Sequence, residues 1–297
     1  MTSLRNGFHY ALGLAALAAA SLRHRIGGYT RPTDFSPDDW PTAVTHVHEI
    51  VEDWRRHLAG QDGQPYGLTG LDILELGPGA TLGTGVLLVG LGARSYRAID
   101  AFALAKRTPS EFYWVLTQTV QGPELDQARL RDAVDGLVSG RSDPITYVVD
   151  PSFDIVHGAA GRSFDLILSS AAFEHFDDIE RVLGQVSEVA RSGAIFLAGI
   201  DFQTHTRGVR GRDPNSIYRF SPGLYRSLSF PGQPNRQRPA DYLRILEKFG
   251  WADAEIRPVD VADPGYIAWS TSGLDANFQS SSADMHVLTG FVRAVKR

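Results

Sequence analysis

Apolar residues change their spacing twice along the chain. Over residues 8–22 (FHYALGLAALAAASL) they run almost unbroken in a helix-prone stretch. Over 42–58, Val44, Val47, Ile50, Val51, Trp54 and Leu58 recur every three or four positions, which predicts an amphipathic helix. A turn-rich connection carrying Tyr29 and Arg31 lies between the two. From Leu71 onward, short apolar runs alternate with helical stretches, the pattern of crossover units on a parallel sheet. Strands are predicted over 71–76, 95–99, 145–149, 164–169 and 194–200, with helices over 84–91, 104–120, 123–138 and 177–191. A further helix over 239–249 stops at Gly250, a suitable C-cap. Two final strands, 254–259 and 286–295, are separated by a polar loop, so one of them runs antiparallel. The chain therefore divides into an N-terminal helical segment (1–66) and an α/β core (67–297), which an irregular insert interrupts over 202–239.

Composition narrows the classes. With 297 residues, 43% hydrophobic and 21% charged, the chain can bury a core of its own, which excludes disorder, collagen and coiled coil. A net charge of −5 gives no overall footprint for nucleic acid. The absence of cysteine removes disulfides, thiolate zinc and a catalytic thiol. His46, His48 and His57 form no convincing metal set, and no metal is expected. The apolar stretch at 8–22 is too short to span a bilayer. A secretory signal fits it poorly, because the basic cluster Arg23, His24, Arg25 follows the apolar run instead of preceding it. The reading taken is a packed helix in a cytoplasmic protein without membrane contact, with surface association left as a testable alternative.

The chemistry starts at residues 73–83 (ILELGPGATLG). Glu75 ends a strand, Gly77 and Gly79 follow, and a helix opens near Gly83. Glycine permits unusual backbone angles and close ligand approach at such a turn. Asp100 closes the next strand, where a carboxylate can hold ribose hydroxyls. Leu82 stands where the third glycine of a dinucleotide fingerprint belongs, and Pro78 lacks an N–H that could cradle a pyrophosphate. A nucleoside ligand without phosphates fits better than NAD, although an NAD(P)-dependent oxidoreductase remains the rival, as does a noncatalytic scaffold.

ELGPGATLG, YRAID (96–100) and FDLILSSAAFEH (164–175) together resemble motifs of the class I S-adenosylmethionine-dependent methyltransferases. The resemblance covers 71–250 and the terminal strand pair. It implies a Rossmann-like three-layer sandwich, with a mostly parallel seven-stranded sheet and a reversed last strand. It also implies S-adenosylmethionine as donor and S-adenosylhomocysteine as product. Glu75, Gly77 and Gly79 would then line the methionine part, with Pro78, Gly83 and Ser169 also among the cofactor-binding residues. Asp100 would hold the ribose, and Asp150, with Asp154 as its competitor, would meet the adenine amino group. GIDFQTH (199–205) and PNRQRPADYLRILEKFGW (234–251) are similar to a bacterial subgroup associated with saccharide or natural-product pathways.

Methyl transfer from a sulfonium needs alignment above all, and needs a base when the acceptor is a hydroxyl. The candidates beyond the fourth and fifth strands are Glu174, His175, Asp201 and His205. His205 is favoured as the base because imidazole titrates near neutral pH. Asp201, His205 and Glu174 as cation ligands are the less favoured reading. The segment 203–238 holds seven arginines against one acid, Asp213, for a net +6 that leaves −11 on the remainder. Its aromatic residues suit a lid, and Arg236, Arg238 and Tyr218 are expected to hold an anionic or sugar-like acceptor. The reading taken is O-methylation of a small molecule, without a nucleic-acid partner and with a homodimer left open.

Overall fold

In the computed structural model, residues 2–27, 40–59 and 64–297 are described. The connection bearing Tyr29 and Arg31 lies outside them. Two helices, α1 (Thr2–Gly27) and α2 (Trp40–Leu58), precede the sheet. The core then runs β1 (Asp72–Leu76), α3 (Gly83–Gly90), β2 (Ser95–Asp100), α4 (Ser110–Thr119), α5 (Gln127–Ser139), β3 (Ile145–Val149), α6 (Ile155–Ala159), β4 (Phe164–Ser170), α7 (Ile179–Val189) and β5 (Ala190–Asp201). After the insert, which contains α8 (Arg207–Arg210) and α9 (Pro222–Ser227), come α10 (Pro239–Lys248), β6 (Trp251–Val261), α11 (Pro264–Ser270) and β7 (Val287–Lys296).

The seven strands lie in the order β3-β2-β1-β4-β5-β7-β6. Strands β1 to β5 pair in parallel, and β7 is antiparallel to both of its neighbours. The expected three-layer fold with its reversed last strand is therefore present. Continuous apolar runs such as Leu166, Ile167 and Leu168 of β4 follow from burial on both faces. One face packs Val47, Trp54, Val86, Phe112 and Leu130 from α2 to α5, and the other packs Ile155, Val182, Val186, Tyr242 and Leu246 from α6, α7 and α10. A third cluster, including Leu17, Tyr218, Phe220, Leu274 and Met285, joins α1, the insert and the β6–β7 connection.

Three differences from the sequence reading have local causes. The helix expected over 104–120 breaks, because Pro109 holds Thr108 extended (φ −67°, ψ 124°) and α4 starts only at Ser110. The helix expected from residue 123 starts at Gln127, where Asp126 caps the Ala128 and Arg129 amides. The β6–β7 connection is no plain loop: Asp263 and Pro264 start α11, which buries Trp269 and Ser270.

Candidate functional site

The β1–α3 turn has the conformation its glycines predict, with Gly77 at φ +71° and Gly79 at φ +72°. A Cβ at Gly77 would lie 2.8 Å from the Ala172 side chain, so this turn and the loop after β4 are pressed together. A Cβ at Gly79 would meet nothing within 4 Å, so the turn faces open space there. Asp100, at the end of β2, accepts from the Gly79 amide at 3.2 Å and from the Phe102 amide at 2.9 Å. Burial raises its pKa, and those amides partly offset the rise. Thr108 donates to the Ala80 carbonyl, and the Tyr113 hydroxyl accepts from Leu82, so residues after β2 brace the turn from outside.

Other expected cofactor residues are committed elsewhere. Glu75 is buried and accepts through Oε2 from Thr84 at 2.6 Å and Tyr96 at 2.5 Å, with burial pushing its pKa up to about 7. It is a post beneath the turn. Gly83 is a packing glycine, since a Cβ there would strike Val47 and Leu116. Ser169 is fully buried, donates to the Leu76 carbonyl and accepts from Trp54 Nε1 through its own carbonyl. α2 thus reaches the glycine turn, whereas α1 packs on the insert. Of the two acids after β3, Asp154 caps α6 by accepting from the His157 amide. Asp150 sits half-buried at the strand end, its Oδ1 bonded to the Ser152 amide and hydroxyl.

The four acceptor-side residues come together. Glu174 and His175 lie on a 3₁₀ turn after β4, Asp201 ends β5, and His205 follows it. The His175 and His205 rings stand edge to face at 4.9 Å. His205 Nε2 is 3.5 Å from Asp201 Oδ2, which Arg210 also approaches to 2.5 Å. Burial would raise the Asp201 pKa, but bonds from His205, the Gln203 amide and Arg210 outweigh it and hold the carboxyl below its ordinary value. Both Glu174 carboxylate oxygens are buried without a hydrogen-bond partner, and burial, aided by nearby Asp201, pushes the acid up to about 8. Burial, aided by neighbouring His205, pushes His175 down to about 4. Near pH 7 the cluster thus holds a protonated carboxyl, a neutral imidazole and a paired Asp201 carboxylate. Ligand atoms of Glu174, His175 and His205 lie within 4.8 Å of one another. A cation would therefore be offered this trio rather than the trio with Asp201, which Arg210 occupies.

The insert corrects the expectation for its arginines. Arg238 is buried and donates to the carbonyls of Ala283 (3.0 Å), Asp284 (2.6 Å) and Val287 (2.8 Å), holding the turn that leads into β7. Arg236 donates to Ile217 and Phe220 carbonyls and lies over the Tyr225 ring. Tyr218 is buried with its hydroxyl on the Phe202 carbonyl. These bonds commit Arg238, the Tyr218 hydroxyl and Nη1 of Arg236 to holding the fold together. Sequence reasoning also missed Asn235, whose amide nitrogen donates to Phe173 and Phe176 carbonyls while its backbone N–H donates to Glu174. The signal lay inside PNRQR, in the residue before the arginines.

Among known proteins, residues 113–198 match the family model described as methyltransferase domain. The match runs from α4 into β5 and leaves the glycine turn outside it. No curated protein matches the sequence. Solved structures similar to the chain include phosphoethanolamine N-methyltransferase 2 of Haemonchus contortus bound to S-adenosyl-L-methionine (13% identity, TM-score 0.45, 85% of this chain and 52% of that one). The chain thus spans about half the length of that enzyme. Two others are an S-adenosylmethionine-dependent methyltransferase of Mesorhizobium loti (16%, 0.45, 84% and 100%) and the CurJ carbon methyltransferase (14%, 0.49, 99% and 69%). The methyltransferase-domain match thus lies across the centre of the sheet, within the strand order 3-2-1-4-5-7-6.

Proposed function

We propose that the protein methylates a hydroxyl of a small molecule, a saccharide or natural product, with His205 as general base. The observation that carries the reading is the Asp201–His205 pair beside Glu174 and His175, in loops that follow adjacent strand ends. The glycine turn fits the donor: open space over Gly79, the Asp100 carboxylate at the next strand end, and half-buried Asp150 one strand further. When bound, S-adenosylmethionine supplies an electrophilic methyl on a sulfonium. Asp100 would bind the ribose hydroxyls and Asp150 the adenine amino group, while Pro78 and Gly79 would face the methionine portion. An Nε2–H directed at Asp201 leaves His205 Nδ1 as the basic nitrogen. That nitrogen takes the acceptor proton as the new O–C bond forms, the C–S bond breaks and its electron pair goes to sulfur. Protonated Glu174 can donate a hydrogen bond to the acceptor, and neutral His175 walls the site without adding charge.

Calorimetric titration with S-adenosylmethionine, S-adenosylhomocysteine and NAD tests the donor. Micromolar binding of the first two without the third is expected, and NAD binding alone would overturn the reading. His205→Ala should lower kcat roughly 100-fold or more at unchanged donor affinity. Turnover of the true acceptor at the parental rate would remove His205 from the mechanism. Because the reading is acid–base, EDTA treatment should leave the rate intact; a loss restored by a divalent ion would transfer the role to a cation on Glu174, His175 and His205.

A further inference from the structure

An amphipathic surface helix normally turns its apolar stripe inward. α1 does the reverse. Its buried positions are Asn6, His9, Gly13, Leu17 and Ser21, four of them polar or glycine. The opposite face carries Leu4, Phe8, Ala11, Ala15, Ala19, Leu22 and Ile26, all apolar and all exposed. At 100° per residue these seven fall within a stripe about 80° wide along the whole helix. The large members, Leu4, Phe8, Leu22 and Ile26, keep between 58 and 83% of their surface in solvent. The polar face is what holds the helix down. Asn6 donates to the Trp269 carbonyl and accepts from Arg219, Arg5 lies 3.8 Å over the Trp269 ring, and Arg25 donates to Ser227. Among the described residues, nothing covers the outward stripe.

The charges choose its occupant. α1 contains Arg5, Arg23 and Arg25 and no acid, in a chain of net charge −5. A cavity of about 520 Å³ next to Phe8 continues the apolar surface to half-exposed Val261 at the end of β6, and Arg5 and Arg212 line it. A second copy of the chain suits the stripe by spacing, which is symmetric about Ala15. Antiparallel pairing there would set Arg5 beside Arg23 of the second copy, with no carboxylate on either helix to offset the repulsion. An anionic bilayer surface meets both features, because the stripe enters the acyl boundary while the flanking positive charge meets lipid phosphates. No described helix is long and apolar enough to cross a membrane, so α1 would lie flat.

We propose that α1 docks the protein on an anionic lipid surface through Leu4, Phe8, Leu22 and Ile26, with Arg23 on the headgroups and with Arg5 and Arg25, held by Trp269 and Ser227, adding positive charge beside it. This takes up the surface association that the sequence left as a testable alternative, while the helix stays packed through its polar face. α1 also touches α8, which begins two residues after His205, so the anchored side and the acceptor side adjoin.

Flotation of the whole protein with vesicles tests the proposal, using phosphatidylglycerol and phosphatidylcholine in equal parts against phosphatidylcholine alone. Sedimentation velocity without lipid runs in parallel. Flotation with the anionic vesicles only, weakened by high salt, is expected. Phe8→Ser with Leu22→Ser should weaken it at least roughly tenfold while S-adenosylhomocysteine affinity and the thermal transition stay as in the parent. Ile26→Ser, near the helix end, gives a second and milder variant should the double one fail to fold. No flotation, or equal flotation on both vesicle types, would overturn the proposal. So would a lipid-free dimer that the serine variants dissolve in a protein that does not float, which would assign the stripe to a second copy.

Discussion

Glu174 carries a burial cost that can be measured directly. A carboxyl whose pKa is raised by folding binds its proton more tightly in the folded state. Its contribution is therefore fully present below the ordinary value of 4.5 and is lost as pH rises through about 8. Glu75 has the same sign but completes its change near pH 7. His175, depressed to about 4, has the opposite sign: stability rises from pH 4 to its ordinary 6.5 and then stays level. Above pH 7 the falling limb thus belongs chiefly to Glu174. The parent should lose stability between pH 7 and 8 with a slope of at most about 1.4 kcal/mol per unit. Glu174→Gln should flatten that limb in urea titrations run at each pH. A slope unchanged by the substitution would show that Glu174 is ionised in the folded protein at neutral pH, and would remove it as a hydrogen-bond donor to the acceptor.

At the scale of elements, the segment 234–238 acts as a staple. Asn235 holds the turn bearing Glu174 and His175, Arg236 holds the insert, and Arg238 holds the turn into β7. Asn235→Ala removes two side-chain bonds to carbonyls and should cost about 1–3 kcal/mol. Its sharper effect should be on catalysis, with kcat falling while S-adenosylhomocysteine affinity holds, because the glycine turn and Asp100 do not touch Asn235. An equal loss of both would place the damage in the whole sheet. This staple shows where reading the sequence stopped. Strand Phe164–Ser170 was legible because two-sided burial writes an unbroken apolar run, Leu166 to Leu168, into its centre. Asp201 and His205 were legible as candidates because they sit at and past a strand end, but their pairing was not, since four-residue spacing outside a helix does not bring two side chains together. Arg236 and Arg238 were not, since a guanidinium that binds an acceptor and one that binds carbonyls are the same letter, and only the path of the insert decides between them. α11 was hidden for a related reason: in ADPGYIAWSTS (262–272), polar residues dilute the apolar spacing, and the Asp263–Pro264 start was the only firm mark.

Across the whole molecule, the N-terminal helix, the insert and the β6–β7 connection meet at one buried ion pair. Arg219 and Asp213 are both fully buried, joined by Nε–Oδ2 at 2.7 Å and Nη2–Oδ1 at 3.0 Å. Asn6 and His9 of α1 approach this pair from one side, and Tyr266 of α11 donates to Asp213 from the other. Burial, reinforced by Arg219, Arg5 and Arg212 against the pull of Asp213, lowers the His9 pKa, so the ring stays neutral near pH 7. The pair is therefore the joint through which the insert and the outward-facing helix depend on each other. Asp213→Asn keeps the shape but leaves the Arg219 charge uncompensated, a loss of about 3–5 kcal/mol for a buried pair. Since the pair touches none of the seven strands, the loss should fall on the joint first. Limited proteolysis should cut within 203–230 and near the C-terminal end of α1 well below the thermal transition, while donor binding at the glycine turn survives. Cleavage appearing only at global unfolding would mean that insert and helix stand without the pair. Early cleavage accompanied by lost flotation on anionic vesicles would tie the insert and the lipid-facing helix into one device, in which ordering the insert presents the stripe of α1.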